Sequence, residues 1–204
     1  MSKTIVELSM SLDGFVAGPN DSPDNPLGDG GQALFAWYNS GDVELRLFGT
    51  DMVFKVSRVS ADFLQDTWNT KGVMVAGRRM FDIANAWGGH PPGGGPCFIV
   101  THHTPQEWVK EASPFVFVTD GAESAIRQAQ RAAGDGLVSI GSASIAQQAL
   151  VAGLLDEIHI DLAPVLLSSG VRLFDKLGVA PVPLQQIRAV EAPGVTHLRY
   201  RVVK

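Results

Sequence analysis

The chain has 204 residues, 45% of them hydrophobic and 18% charged, and a net charge of −5 at neutral pH. That composition suits one globular domain over 1–204 with a sizeable core, and the lack of any basic block argues against nucleic acid as a partner. No apolar run reaches membrane-spanning length, and a single cysteine excludes an internal disulfide.

The N-terminus is too short in apolar residues for a signal peptide, so the expectation is a soluble cytoplasmic protein. Cys97 sits in an apolar run and reads as a buried small hydrophobe. Residues 4–10 alternate and are rich in β-formers, which predicts a strand ending at Ser11-Leu12-Asp13-Gly14. Asp13 reads either as an Asx-turn closing that strand or as a carboxylate at a strand end facing a ligand. The stretch 19–31 is a long loop of turn residues, of the kind that is functional or disordered inside a compact domain. Residues 32–39 predict a short amphipathic helix, with Trp37 either in the core or lining a pocket for a planar ligand. A further helix is predicted to be capped at Ser60.

Residues 73–76 are an apolar run, followed by Gly77, Arg78 and Arg79, then Met80, Phe81, Ile83, Ala84 and Trp87 at helical spacing. This predicts a buried strand feeding a helix through a tight turn at Gly77, with Gly88-Gly89 as its stop. Two arginines at a helix N-terminus oppose the helix dipole, and an anion held there would remove the conflict. The plainer reading is a junction with two solvated arginines.

Residues 96–101 predict a second buried strand, ending in Thr101-His102-His103-Thr104. Adjacent histidines project differently and lack a third ligand at suitable spacing, so no metal is expected and Thr101 or His102 is read as a ribose or phosphate contact. A third strand over 115–119 leads to a helix over 121–133, with Glu123 and Arg127 one turn apart. A fourth strand, 137–140, runs into Gly141-Ser142-Ala143-Ser144-Ile145 at the start of another helix. Ser142 or Ser144 could cap that helix or donate to a phosphate. Two strand–glycine–helix junctions in one domain could converge on the two phosphates of a dinucleotide.

Residues 154–166 alternate between apolar and acidic or histidine side chains, which predicts one buried and one polar face. Residues 184–190 and 195–203 predict an antiparallel hairpin, with His197, Arg199 and Arg201 on one face. The alternation of 158–166 and this hairpin are a candidate homodimer surface. The element order predicts a three-layer α/β fold with a mostly parallel sheet and an antiparallel C-terminal hairpin. Ligands of such sheets sit beyond the carboxyl ends of the strands, where Asp13, Gly77, Arg78, Thr101, Gly141 and Ser142 all fall.

These pieces together resemble the dihydrofolate reductase superfamily, and most closely the reductase domain of bifunctional riboflavin biosynthesis proteins. The resemblance rests on the stretch from Ser9 through Asp13-Gly14-Phe15-Val16 to Ala17 and on Gly77-Arg78-Arg79-Met80-Phe81. It continues in Gly141-Ser142-Ala143-Ser144, Gly153-Leu154-Leu155-Asp156-Glu157-Ile158, Ala163-Pro164-Val165-Leu166 and Gly170-Val171-Arg172-Leu173-Phe174, in order along nearly the whole chain. It implies NADPH as cofactor, with Gly77, Arg78, Arg79 and Met80 at the phosphates and Thr101 and His102 near the adenosine 2′-phosphate. Gly141, Ser142, Ala143, Ser144 and Ile145 would wrap the pyrophosphate, and Val16 and Ala17 would flank the nicotinamide. The implied activity is hydride transfer to a small heterocycle, most like 5-amino-6-(5-phosphoribosylamino)uracil reduction in riboflavin biosynthesis. Asp13 is the candidate proton donor, and Asp13, Phe15 and Trp37 are candidate substrate contacts. Folate reduction and a non-catalytic NADPH-binding protein are the alternatives. The sequence departs from the family in carrying Ser142 in place of a second glycine. The region 18–70, a lid or insertion, offers no clear match for the acid that folate reductases place on the pterin.

Overall fold

The computed structural model describes residues 2–68 and 72–204. The last residues of the expected lid region, 69–70, lie outside them. The first strand, β1 (Lys3–Ser11), turns into the short β2 (Phe15–Ala17). A 3-10 helix (Gly31–Asn39) follows, then the ribbon of β3 (Val43–Arg46) and β4 (Val53–Val56), then α1 (Arg58–Trp68). Next come β5 (Gly72–Gly77), α2 (Arg78–Ile83), β6 (Gly94–Val100), β7 (Phe115–Val118) and α3 (Ala122–Ala133). They are followed by β8 (Leu137–Ile140), α4 (Ala143–Val151), β9 (Glu157–Ala163) and the short β10 (Val171–Arg172). The hairpin of β11 (Leu184–Ala192) and β12 (Val195–Val202) closes the chain.

Eight strands form one sheet in the order β11-β12-β9-β1-β8-β5-β6-β7. Every pair from β9 to β7 is parallel, and only the β12–β9 and β11–β12 pairs are antiparallel. The fold is therefore the mixed α/β sheet expected from the element order. Its first strand lies in the middle, between β9 and β8, with β5 next after β8.

Strand alternation sorts the two faces. Val6, Val73, Val75, Val138, Ile140, Ile158 and Ile160 pack under α3 and α4 with Ala125, Ile126, Ala146 and Ala149. On the other face α2 brings Phe81 onto Met74, Ala76, Cys97, Ile99 and Phe115. Each fully buried branched or aromatic side chain here contributes roughly 1.5–3 kcal/mol by leaving water. Burial also pushes the Cys97 thiol up, so it is an inert core group, as expected.

Four local expectations are corrected. The polar face of β9 and β12 is not exposed: Glu157, His159, Asp161 and His197 are all buried. His197 joins Asp161 Oδ1 (2.7 Å) to the Ser60 hydroxyl (2.9 Å), and Lys3 pairs with Glu157 (2.8 Å). Buried polar groups hold together when they find partners, and α1 supplies Ser60 as one of them. The apolar face of β9 is equally covered, so Ile158 and Ile160 belong to the core and not to a dimer surface. Ser60 does not cap α1. Ser57 accepts the Ser60 amide (3.1 Å) and α1 begins at Arg58, which frees the Ser60 hydroxyl for His197. The helix after Gly77 stops at Ile83, short of Trp87. Asn85, Ala86, Trp87 and Gly88 all take left-handed φ of +47 to +61°, a run that L-residues adopt only at a cost of roughly 1–2 kcal/mol each. Burial of Ala86 and stacking of Trp87 on Phe115 (6.5 Å between ring centroids) work against that cost.

Candidate active site

The carboxyl ends of β5, β6 and β8 lie side by side and open onto a cavity of about 670 Å³. That is ample for an extended cofactor or drug-sized molecule. Val16, Ala17, Gly77, Arg78, Arg79, Met80, Thr101, His102, Gly141, Ser142, Ala143, Ser144 and Ile145 all line it. Thus both glycine junctions and the Thr101 strand end face one space. Leu8, Phe35 and the loop residues Asp21, Pro26 and Leu27 complete the wall.

The two junctions are tied to one another. The Gly77 amide donates to the Ser142 hydroxyl (2.9 Å). Ser142 sits at the N-cap of α4 but makes no side-chain cap, because that hydroxyl is already engaged. The expectation that Ser142 caps the helix is corrected accordingly; its hydroxyl accepts from Gly77 and keeps its own proton to donate into the cavity. The first-turn amides of Ala143, Ser144 and Ile145 have no partners within the helix and are the natural anion donors of this end. Gly77 has φ −82°, so its turn does not require glycine, and an added Cβ would meet Ser142 Oγ at an ordinary 3.6 Å. Gly141 differs: a Cβ there would fall 2.2 Å from Met74 Cε.

The arginines do not wait for an anion. Arg78 Nε bonds the Asp82 carboxylate (2.8 and 3.0 Å) and its Nη1 bonds the His103 carbonyl (3.2 Å). Arg79 holds Asp21 through Nε (3.0 Å) and Nη2 (2.6 Å), and the Asp21 hydrogen bond raises the Arg79 guanidinium pKa. The charge conflict at this helix start is therefore answered by two acids of the chain itself. Asp21 thereby fastens the 19–31 loop to α2. Thr101 is buried, and its hydroxyl bonds the His103 backbone (2.8 Å to the carbonyl, 3.2 Å from the amide).

Three expected contacts fall outside this cavity. The Asp13 carboxylate accepts from the Ser11 hydroxyl (2.6 Å) and from the amides of Ser168 (2.7 Å) and Leu167 (3.1 Å). The Ser11 hydrogen bond, followed by those amides, holds it below the usual carboxylate range. Such a group stays ionised, so Asp13 is a clamp between the β1–β2 turn and the 167–168 loop, and a poor proton donor. Phe15 is buried beneath the Arg172 guanidinium, 4.3 Å from its ring. Trp37 is core: it is 1% exposed, donates to Ser9 (3.2 Å) and meets His197 edge-on (5.2 Å). Phe35, two residues earlier, is the aromatic that lines the cavity.

A second, smaller chamber of about 220 Å³ adjoins the first, and Leu8, Phe35, Met80 and Gly141 line both. Its polar lining is Glu7, Ser9, Tyr38, Thr67, Ser139 and Asp161. Glu7 accepts from the Thr67 hydroxyl (3.1 Å). Burial, then the charge of Asp161, pushes the Glu7 carboxyl up to about 8. Tyr38 is likewise pushed up, by burial first. Sequence reading passed over Glu7. The available signal was an acid in the middle of a strand between Val6 and Leu8, since acids seldom sit among core-facing apolar residues without a reason. Among the described residues, no cluster of His, Cys, Asp or Glu could hold a metal ion, and no helix is long and apolar enough to cross a membrane.

The architecture is that of the dihydrofolate reductase class. Dihydrofolate reductase from Enterococcus faecalis, complexed with NADP(H) and RAB-propyl, superimposes with a TM-score of 0.56 at 11% identity, over 99% of this chain and 97% of that one. A structure from Shewanella sp. PV-4, named for riboflavin biosynthesis, superimposes with a TM-score of 0.69 at 21% identity, over 99% of both chains. The RibD C-terminal domain model matches residues 2–197. The chain therefore belongs to the RibD C-terminal domain family. No curated protein matches it in a sequence comparison.

Proposed function

We propose that this protein is an NADPH-dependent reductase of a small nitrogen heterocycle, most like the reductase that acts on 5-amino-6-(5-phosphoribosylamino)uracil. The observation that carries the reading is the convergence of both glycine junctions and the Thr101 strand end on one cavity beside a second, ring-sized one. The residues fit the cofactor: a cavity of about 670 Å³, a set of first-turn amides at α4, and cationic or histidine side chains at Arg78, Arg79 and His102. When bound, NADPH supplies the hydride, and the protein's part is to bind, orient and exclude water. Gly77, Met80 and the 141–145 turn would hold the pyrophosphate, and Val16 and Ala17 would flank the nicotinamide. Arg79 and His102 would meet the 2′-phosphate, with Arg79 exchanging its bond to Asp21 for the phosphate.

The test is NADPH consumption, followed by absorbance, with 5-amino-6-ribosylaminouracil 5′-phosphate as substrate and dihydrofolate as comparison. Turnover of the pyrimidine well above that of dihydrofolate is expected. Folded protein that oxidises NADPH with neither, and with no other aminopyrimidine, would contradict it.

A further inference from the structure

Among the described residues, Asp21 is the one acid on the wall of the large cavity, and it sits on an arginine of that same wall. Its two carboxylate oxygens and its own backbone carbonyl all accept from one edge of the Arg79 guanidinium. Nε meets Oδ2 at 3.0 Å, and Nη2 meets Oδ1 at 2.6 Å and the carbonyl at 2.7 Å. Three oxygens gathered on a guanidinium edge are what a phosphate group offers an arginine. The two partners differ in access: the Asp21 side chain is 13% exposed and the Arg79 side chain 68%. An incoming anion can therefore reach the guanidinium while Asp21 is still on it.

The loop that carries Asp21 is built as a unit. Asp29 accepts from the side-chain amides of Asn20 (2.7 Å) and Asn25 (3.0 Å). The Gly18 amide donates to the Leu27 carbonyl (2.8 Å), and the Asp29 amide to the Pro19 carbonyl (2.7 Å). Among the described residues, Arg79 is the loop's one ion-pair partner on another element. Pro26 and Leu27 of the same loop also line the cavity. The one ion pair that ties this piece of wall to α2 is exposed enough to be exchanged.

We propose that Asp21 is a built-in competitor for the phosphate that Arg79 receives, and that a phosphate-bearing ligand unlatches the 19–31 loop by displacing it. The inference rests on the cofactor reading above and adds a specificity determinant to it. A dianionic phosphate can replace a carboxylate on a guanidinium. The hydroxyls of a sugar cannot, because they bring no charge to offset the lost ion pair. Asp21 therefore weakens every ligand at Arg79 in proportion to the time it holds the guanidinium, since a ligand binds only the free form. Only a ligand with a phosphate at this place overcomes that handicap. Its binding also releases Pro26 and Leu27 from their fixed place on the wall.

The probes are 2′-AMP, which carries a ribose 2′-phosphate, inorganic pyrophosphate, which carries the bridging kind, and adenosine, which carries neither. Binding to the whole protein is read by calorimetry at fixed ionic strength. Asp21→Asn should bind 2′-AMP or pyrophosphate at least about tenfold more tightly than wild type, and the probe that gains identifies the phosphate that Arg79 receives. Adenosine should not gain. Asp24→Asn makes the same charge change on an exposed residue of the same loop, and should leave the affinities within about twofold of wild type. A spin label on Asp24→Cys reads the loop, because Cys97 is buried and does not take the label. The label should become more mobile as the phosphate probe saturates, and it should be mobile from the start when Asp21→Asn is added. The titration of the labelled protein stands by itself should Asp21→Asn fail to fold. The proposal falls if Asp21→Asn tightens neither phosphate, if Asp24→Asn or adenosine gains as much, or if the label is equally immobile with and without the probe. NADPH oxidation with an aminopyrimidine substrate separates the two readings. Turnover without the Asp21 results would sink the latch and leave the reductase. Phosphate-driven release without any NADPH oxidation would sink the reductase and leave the latch.

Discussion

At the scale of single residues, Glu7 gives the protein an uncommon pH dependence. Its carboxyl titrates from about 8 when folded and near 4.5 when unfolded. Between those values the folded state holds a proton that the unfolded state has released, so stability falls as pH rises through that window. Glu7→Gln removes the dependence. Its melting temperature relative to wild type should climb steadily from about pH 5 to about pH 8, by the equivalent of a few kcal/mol. A constant difference across that range would contradict the assignment. His197 makes the opposite kind of test. It is fully buried between Asp161 and Ser60. His197→Phe would strand the Asp161 carboxylate and should cost about 3–5 kcal/mol in denaturant unfolding. Single residues were the least legible part of the sequence. The strand of Glu7 could be read from its alternation. The Thr67 hydroxyl that meets it comes from 60 residues away, and nothing local announces that contact. Asp13 misled for a related reason: its partners, Leu167 and Ser168, are over 150 residues downstream.

At the scale of elements, two glycines separate architecture from ligand approach. Gly170 has φ +130°, and a Cβ there would lie 2.1 Å from the Ala17 carbonyl. Gly170→Ala should lose at least about 2 kcal/mol of stability. Gly77→Ala faces no such clash and should unfold within roughly 0.5 kcal/mol of wild type. Because Gly77 lines the large cavity, the same substitution should reduce the thermal stabilisation given by NADPH. Equal stabilisation of Gly77→Ala and wild type would remove Gly77 from the proposed cofactor site. The junctions themselves were legible, because an apolar run, a glycine and a helical spacing are local signals. Their interlocking through Gly77 and Ser142 was not, nor was the early end of α2. The spacing of Met80, Phe81, Ile83 and Trp87 fits a helix, yet aromatic packing around Phe115 pulls the chain into a left-handed turn after Ile83.

At the scale of the whole molecule, the alternation of strands and helices foretold the layered sheet, and the closing hairpin foretold its antiparallel edge. The burial of both sheet faces was harder to see. Alternating acids and histidines on β9 suggest solvent, but they are buried, with Glu157 paired to Lys3 and His159, and Asp161 bonded through His197 to Ser60 of α1. The outer edge of the sheet remains uncovered at β11, where Leu184 and Ile187 are exposed. We propose that two copies pair along this edge, since an unpaired strand bearing apolar side chains is a template for another. Sedimentation should show a dimer for the wild type and a monomer for Ile187→Glu; a monomeric wild type would refute the pairing.

The measurement that bears most directly on the account is the melting temperature with NADPH and, separately, with NADH. Cofactor at a hundred times its dissociation constant should add about 2.7 kcal/mol, a rise of roughly 5–10 °C for a domain of this size. That rise is expected with NADPH and a much smaller one with NADH, because under the proposed function Arg79 and His102 would meet the extra phosphate. No rise with either, on folded protein at saturating millimolar cofactor, would contradict it.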